Sequence, residues 1–286
     1  MNAIINIIIS VLVFVIAIAL ANASGSSLVL QAVFIAFSIQ WIAFIPAYVF
    51  QTEKFYDLIG SITYITVIWF TLIGSSNGLI LTNWANIGNV IIVLLISSWA
   101  IRLGTFLFIR IKKDGEDKRF RSIKPSASRF FMTWTLQGLW VSLCSMCALT
   151  AMSSESGMIL NLFFFLGLAL FISGFVIEII ADNQKSKFRS IESNKDSFIT
   201  TGLWARSRHP NYFGEILLWL GVAVMSFSSL SGWQYLTLIS PIFTYLLLVY
   251  VSGVRMLEAR SEKKWGNDEG YKRYKSSTPR LFISLK

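Results

Sequence analysis

Histidine occurs once in this sequence of 286 residues, cysteine twice and proline five times, and only 14% of the residues are charged. One histidine without a second cysteine pair leaves no zinc site of ordinary spacing, so no metal is expected. Cys144 and Cys147 lie inside an apolar run and are expected as ordinary buried thiols. No Gly-x-Gly-x-x-Gly follows a strand-like stretch, which excludes a Rossmann-type nucleotide site. No internal repeat is present, so the symmetry of many transporters is absent as well.

What remains is apolar. Hydrophobic residues make up 55% of the chain, and the mean hydropathy is +0.63. A membrane-spanning helix needs about 20 apolar residues, and eight candidates stand at 3–22, 28–50, 58–74, 86–110, 130–152, 158–181, 211–229 and 234–256. The expected fold is all-α, a polytopic bundle of eight transmembrane helices. Seven would remain if Ala21-Asn22-Ala23 were cut as a signal-peptidase site; the lack of Lys or Arg before that run favours a retained helix. Residues 1–85 read as helices shaping a substrate cavity, and residues 86–286 as a C-terminal membrane domain with a tail.

The net charge of +10 raises the question of nucleic acid, and its placement argues against it. Eight Lys/Arg lie from Arg110 to Arg129, six from Lys185 to Arg208 and nine from Arg255 to Lys286, after helices four, six and eight. The opposite loops at 23–27, 75–85, 153–157 and 230–233 hold a single charge, Glu155. By the positive-inside rule the basic face and both termini are cytoplasmic, as expected of a bacterial inner-membrane protein in contact with membrane lipids.

Polar chemistry concentrates in Ser207-Arg208-His209-Pro210-Asn211-Tyr212-Phe213-Gly214-Glu215, just before the seventh apolar run. Proline suits a first helical turn, so a helix is expected to begin near Pro210, with Asn211 and Glu215 on one face. The N–H groups of that turn, with Arg206 and Arg208 ahead of them, suit an anionic ligand such as a phosphate. A basic anchor at the headgroups explains the arginines but neither Asn211 nor Glu215.

Other polar residues follow helical spacing. Glu178, Asp182, Lys185 and Arg189 form one stripe of helix six, and Glu178 falls inside the apolar span. Asp57, Ser61 and Tyr64 recur along helix three, toward a common cavity or a structural contact. Arg102 lies eight residues before Arg110, about 12 Å deeper along its helix, where a guanidinium takes a carboxylate or phosphate partner. In the aromatic, basic tail, Tyr271 either stacks on a planar ligand or sits at the interface. That tail is expected to fold back beneath the bundle.

Ala181-Asp182-Asn183-Gln184-Lys185 through Phe188-Arg189, Gly202-Leu203-Trp204, the Ser207 to Glu215 motif, and Leu257-Glu258 through Lys264-Trp265-Gly266 and Tyr271 together resemble an uncharacterised bacterial branch of the steroid 5α-reductase C-terminal-domain superfamily. The resemblance implies a membrane oxidoreductase in which NADPH occupies a cytoplasm-facing pocket in the C-terminal half and reduces a C=C bond of a lipid-like enone or alkene. Asp182, Arg189, Asn211 and Glu215 match nucleotide-holding positions, and Arg102 matches an arginine of the fourth helix. Arg110, Lys185, Arg206, Arg208, His209, Tyr212 and Tyr271 complete the expected cofactor set. Asp57, Tyr64 and Tyr212 are candidates for the catalytic donor to the developing enolate. Steroid reductases carry an adjacent Gln-Glu pair, whereas this chain has Gln51-Thr52-Glu53. Isoprenylcysteine carboxyl methyltransferases share the Arg-His-Pro-x-Tyr-x-Gly core and bind S-adenosylmethionine, so methyl transfer is the rival activity. A non-enzymatic lipid-binding protein is the third reading.

Overall fold

The computed structural model describes residues 2–75 and 87–284, and every regular element among them is helical. Eight helical segments are long and apolar enough to cross a membrane, and the chain is an integral membrane protein. The first seven contain the helices α1 (Ala3–Ala23), α2 (Ser27–Val49), α3 (Tyr56–Ser75), α4 (Ile87–Asp114), α5 (Ala127–Met152), α6 (Leu162–Ser190) and α7 (Pro210–Ser226). The expected uncharged loop 75–85 lies outside the described residues from position 76 onward, and so does the expected division between residues 85 and 86.

The eighth span departs from the uniform helix expected over 234–256. It runs as 3-10 turns (Gly232–Ile239), α8 (Ser240–Leu246) and a π-helical turn (Leu247–Val251), breaks at Gly253, and resumes as α9 (Val254–Trp265). Gly253 is where regular geometry fails: a Cβ there would strike the Leu248 carbonyl and lie 3.0 Å from the Tyr212 ring. A short helix α10 (Glu269–Ser277) follows.

The chain forms two compact units, Met1–Phe164 with Met225–Ser240, and Phe165–Val224 with Pro241–Lys286. In the first, α5 is the centre: 83% of its most apolar stretch is buried, against 22% for α1. α5 carries hydroxyls into that dry interior because they bond its own backbone, Ser142 to Gly138 O at 2.7 Å and Thr150 to Met146 O at 2.8 Å. Gly138 lets the Phe37 ring of α2 approach to 3.1 Å of where a Cβ would stand. Cys144 and Cys147 are unbridged and buried there. α1 instead exposes Ile4, Ile8, Val11 and Val15, a lipid-facing surface. Cross-helix bonds between Gln40 and Thr63 at 2.8 Å, and between Trp41 and Thr135 at 3.1 Å, fix the rotation of α2 against α3 and α5. At the basic end the buried Glu53 accepts the Asp117 N–H at 2.8 Å and pairs with Lys124, fastening the loop after α4 to the α2–α3 turn.

The second unit is built on α6 and α7. Gly167 and Gly174 on α6 meet Gly221 and Gly214 on α7, each pair of glycines seven residues apart in its own helix. A Cβ on Gly214 would lie 2.6 Å from Gly174 O and 2.8 Å from Glu178 N, and one on Gly221 would lie 2.6 Å from Gly167 O. Backbone meets backbone along this seam, the close approach that small residues permit in membranes.

Candidate functional site

The glycine seam brings the last turns of α6 against the first turns of α7. Glu178, Asp182 and Glu215 are all buried at this junction, with 2%, 6% and 6% of their surface exposed. Asn211 Nδ2 donates to Asp182 Oδ1 at 3.3 Å, closing the junction at its polar end. α7 begins at Pro210, as its sequence predicts, and its ladder opens with Phe213 N–H on His209 O at 3.1 Å. The α6 stripe grades from buried to wet: Glu178 and Asp182 are enclosed, Lys185 is half-buried with its ammonium 4.4 Å above the Trp204 ring, and Arg189 is exposed.

The segment between the two helices is pinned at several points. Trp204 Nε1 donates to Ala181 O at 3.0 Å, and Leu203 N–H donates to Gln184 Oε1 at 2.9 Å. Gly202 adopts φ +63°, a left-handed conformation that favours glycine, and the Gln184 side-chain amide packs over it. Arg206 is exposed just ahead of α7.

The C-terminal residues clasp this segment, as the aromatic tail led one to expect. Arg208 N–H donates to Pro279 O at 2.9 Å, Ser284 N–H to Arg206 O at 3.0 Å and Ser207 Oγ to Leu281 O at 2.7 Å. Tyr274 OH donates to Trp204 O at 2.7 Å, and Trp265 Nε1 to Asp196 O at 2.7 Å. Tyr271 is buried with its ring centroid 5.2 Å from that of Phe198, and it packs on Trp265. Burial raises its phenol above the ordinary value. Tyr271 thus belongs to an aromatic cluster with Phe198 and Trp265.

Glu258 of α9 binds both Arg208 and His209 of the motif. Its Oε2 accepts from Arg208 Nη1 at 2.6 Å, and its Oε1 lies 2.9 Å from His209 Nε2. His209 in turn stacks on Tyr212, with ring centroids 5.9 Å apart and planes 13° from parallel. Burial holds the imidazole below its ordinary pKa, against the opposing pull of Glu258. In the sequence Glu258 stands only as part of the Leu257-Glu258 stretch of the family pattern, with no partner indicated. Its partners lie 49 and 50 residues earlier, a relation no local spacing encodes.

Asp57, Tyr64, Arg102 and Arg110 belong to the first unit and all the other expected residues to the second. The Asp57, Ser61 and Tyr64 face of α3 meets α4: Ser61 fills the space at Gly104, and Tyr64 packs edge-on against Trp99 with centroids 5.1 Å apart. Arg119 and Arg110 both attract Asp57. The guanidinium groups of Arg102 and Arg110 lie 5.3 and 5.9 Å from the Phe106 centroid, so one ring between two arginines supports both.

No curated protein and no solved structure matches the chain. A family of unknown function, DUF1295, matches residues 43–278, which takes in the end of α2, the six spans that follow it, the Asp182–Asn211 junction and the Glu258 clamp: the chain belongs to the DUF1295 family.

Proposed function

We propose that the chain is a membrane reductase of the steroid 5α-reductase-like type, with NADPH held at the basic, cytoplasmic end of the second unit and a C=C bond of a lipid-like substrate as the acceptor. The observation that carries this reading is the Asn211–Asp182 hydrogen bond. It joins an amide in the first turn of α7 to a buried carboxylate of α6, a few residues after the exposed Arg206. A phosphorylated dinucleotide asks for cations at a wet surface and for polar groups that recognise its hydroxyls and amide. Arg189 and Arg206 supply the first, and Asp182, Asn211 and Glu215 supply the second. NADPH, when bound, supplies the hydride. The protein's part is to orient it, to exclude water and to donate a proton to the reduced substrate, for which Tyr212 is the candidate within this unit.

One observation favours methyl transfer instead. Glu258 neutralises Arg208, leaving less positive charge at the first turn of α7 than its sequence suggests, and a zwitterionic methyl donor needs less. Ligand-dependent thermal stability separates the readings. A ligand at 100 times its Kd stabilises the fold by about 2.7 kcal/mol, so NADPH alone should raise the melting temperature for the reductase and S-adenosylmethionine alone for the methyltransferase. Silence from both would turn the search to lipid binding.

A further inference from the structure

We infer that Glu258 is a positioning residue. It cancels the charge of Arg208 and locks His209 as the Nε2–H tautomer, so that the first turn of α7 offers its ligand a neutral acceptor, His209 Nδ1, rather than a cation. The ligand group that fits such an acceptor is a neutral N–H or O–H donor, such as a carboxamide or a sugar hydroxyl. This ligand assignment rests on a nucleotide cofactor binding at that turn; the tautomer lock does not.

The geometry carries the argument. Both oxygens of one carboxylate are committed, Oε2 to Arg208 at 2.6 Å and Oε1 to His209 at 2.9 Å. A carboxylate only accepts, so His209 Nε2 must carry the proton. His209 is 5% exposed, and its Nδ1 makes no hydrogen bond among the described residues. In the neutral ring that nitrogen holds a bare lone pair, and a buried lone pair left unmatched is costly unless something arrives to use it. Stacking on Tyr212 and the contact of Nε2 with Glu258 Oε1 keep the ring from turning, while the backbone N–H of His209 bonds Ser207 Oγ at 3.2 Å. The charges bearing on the imidazole are Glu258 from α9, Lys185 from α6 and Arg208 beside it. Glu258 itself also feels Arg280 of the tail. Burial opposes protonation most, Glu258 pulls the other way, and Lys185 and Arg208 add to the effect of burial.

The sequence has a single histidine, so nitrogen NMR of the full chain in detergent, labelled with 15N-histidine, reads this one ring. At pH 7.5 the expected spectrum shows Nε2 protonated and Nδ1 bare, in one tautomer. A protonated Nδ1, a charged ring or a tautomer mixture in the wild-type protein overturns the inference, with no variant needed. Glu258→Gln should release the lock and give a mixture, and an unchanged single tautomer in a folded variant also overturns it. Addition of NADPH should then shift Nδ1 while Nε2 stays protonated, with affinity about tenfold weaker in Glu258→Gln. If NADPH raises the melting temperature yet leaves Nδ1 unmoved, the ligand role is wrong although the cofactor reading stands. If NADPH does not bind at all, the reductase reading fails while the wild-type spectrum still decides the tautomer lock.

Discussion

Asn211 Nδ2 lies 3.3 Å from Asp182 Oδ1, joining the first turn of α7 to the end of α6. Two elements separated by a loop of about twenty residues thus share one polar joint, and Glu178 and Glu215 are buried on the same two helices. If it holds a nucleotide, Asn211→Ala should abolish the thermal shift produced by NADPH while lowering the apo melting temperature by only a few degrees. The expected stability cost is about 1–2 kcal/mol, since a hydrogen bond to a half-buried amide is lost. An unchanged NADPH shift would remove Asn211 from the cofactor site.

The glycine seam predicts a steep cost for bulk. Gly214→Leu cannot be accommodated without separating α6 from α7, because the atoms in the way are the Gly174 carbonyl and the Glu178 backbone. Overpacking of this kind costs about 1–3 kcal/mol or more, and the variant should lose its cooperative melt in detergent. Gly232→Ala is the matched control. It has open space around a Cβ but a φ of +52°, and should cost only about 1–2 kcal/mol.

Breaking the Glu53–Lys124 pair should weaken the first unit. Glu53 is 4% exposed and also accepts the Asp117 N–H. Glu53→Ala leaves that N–H and the Lys124 ammonium without their acceptor, with an expected loss of about 3 kcal/mol. Equilibrium denaturation in detergent measures it, and a loss below about 1 kcal/mol would show the contact to be solvent-screened.

His209 gives a pH dependence of defined sign. Its folded pKa lies below the ordinary value of 6.5 because burial disfavours the imidazolium. Between the two values the unfolded chain binds the extra proton, so this contribution to stability is complete above about pH 6.5 and is lost as the pH falls toward the folded pKa. The slope is at most about 1.4 kcal/mol per pH unit for one group. Since the chain has no other histidine, melting curves from pH 7 to pH 5 should show this component in the wild type and lack it in His209→Gln.

Hydropathy alone located all eight spans to within a few residues at most ends, because a lipid environment demands long apolar helices and little else produces them. Pro210 marked the start of α7, and the polar stripe from Glu178 to Arg189 showed that α6 outlasts its apolar run. The division of the eighth span was not read from its mean hydropathy: Gly253 and the π turn before it interrupt a run that is apolar on average, and a Cβ at Gly253 would meet Leu248 O and the Tyr212 ring. The seam of Gly167 and Gly174 with Gly214 and Gly221 was equally hidden, since a seven-residue spacing of glycines acquires meaning only when the partner helix is known. Arg208 and His209 were visible as polar residues, but their carboxylate lies on another helix, so the sequence suggested a cationic patch where the structure has a neutralised one.

The measurement closest to the central claim is the melting temperature of the purified protein in detergent with NADPH, with NADH, with S-adenosylmethionine and with none of them, repeated for Asn211→Ala. The reductase account predicts a rise with NADPH that disappears in the variant. A rise with S-adenosylmethionine and none with NADPH would contradict it.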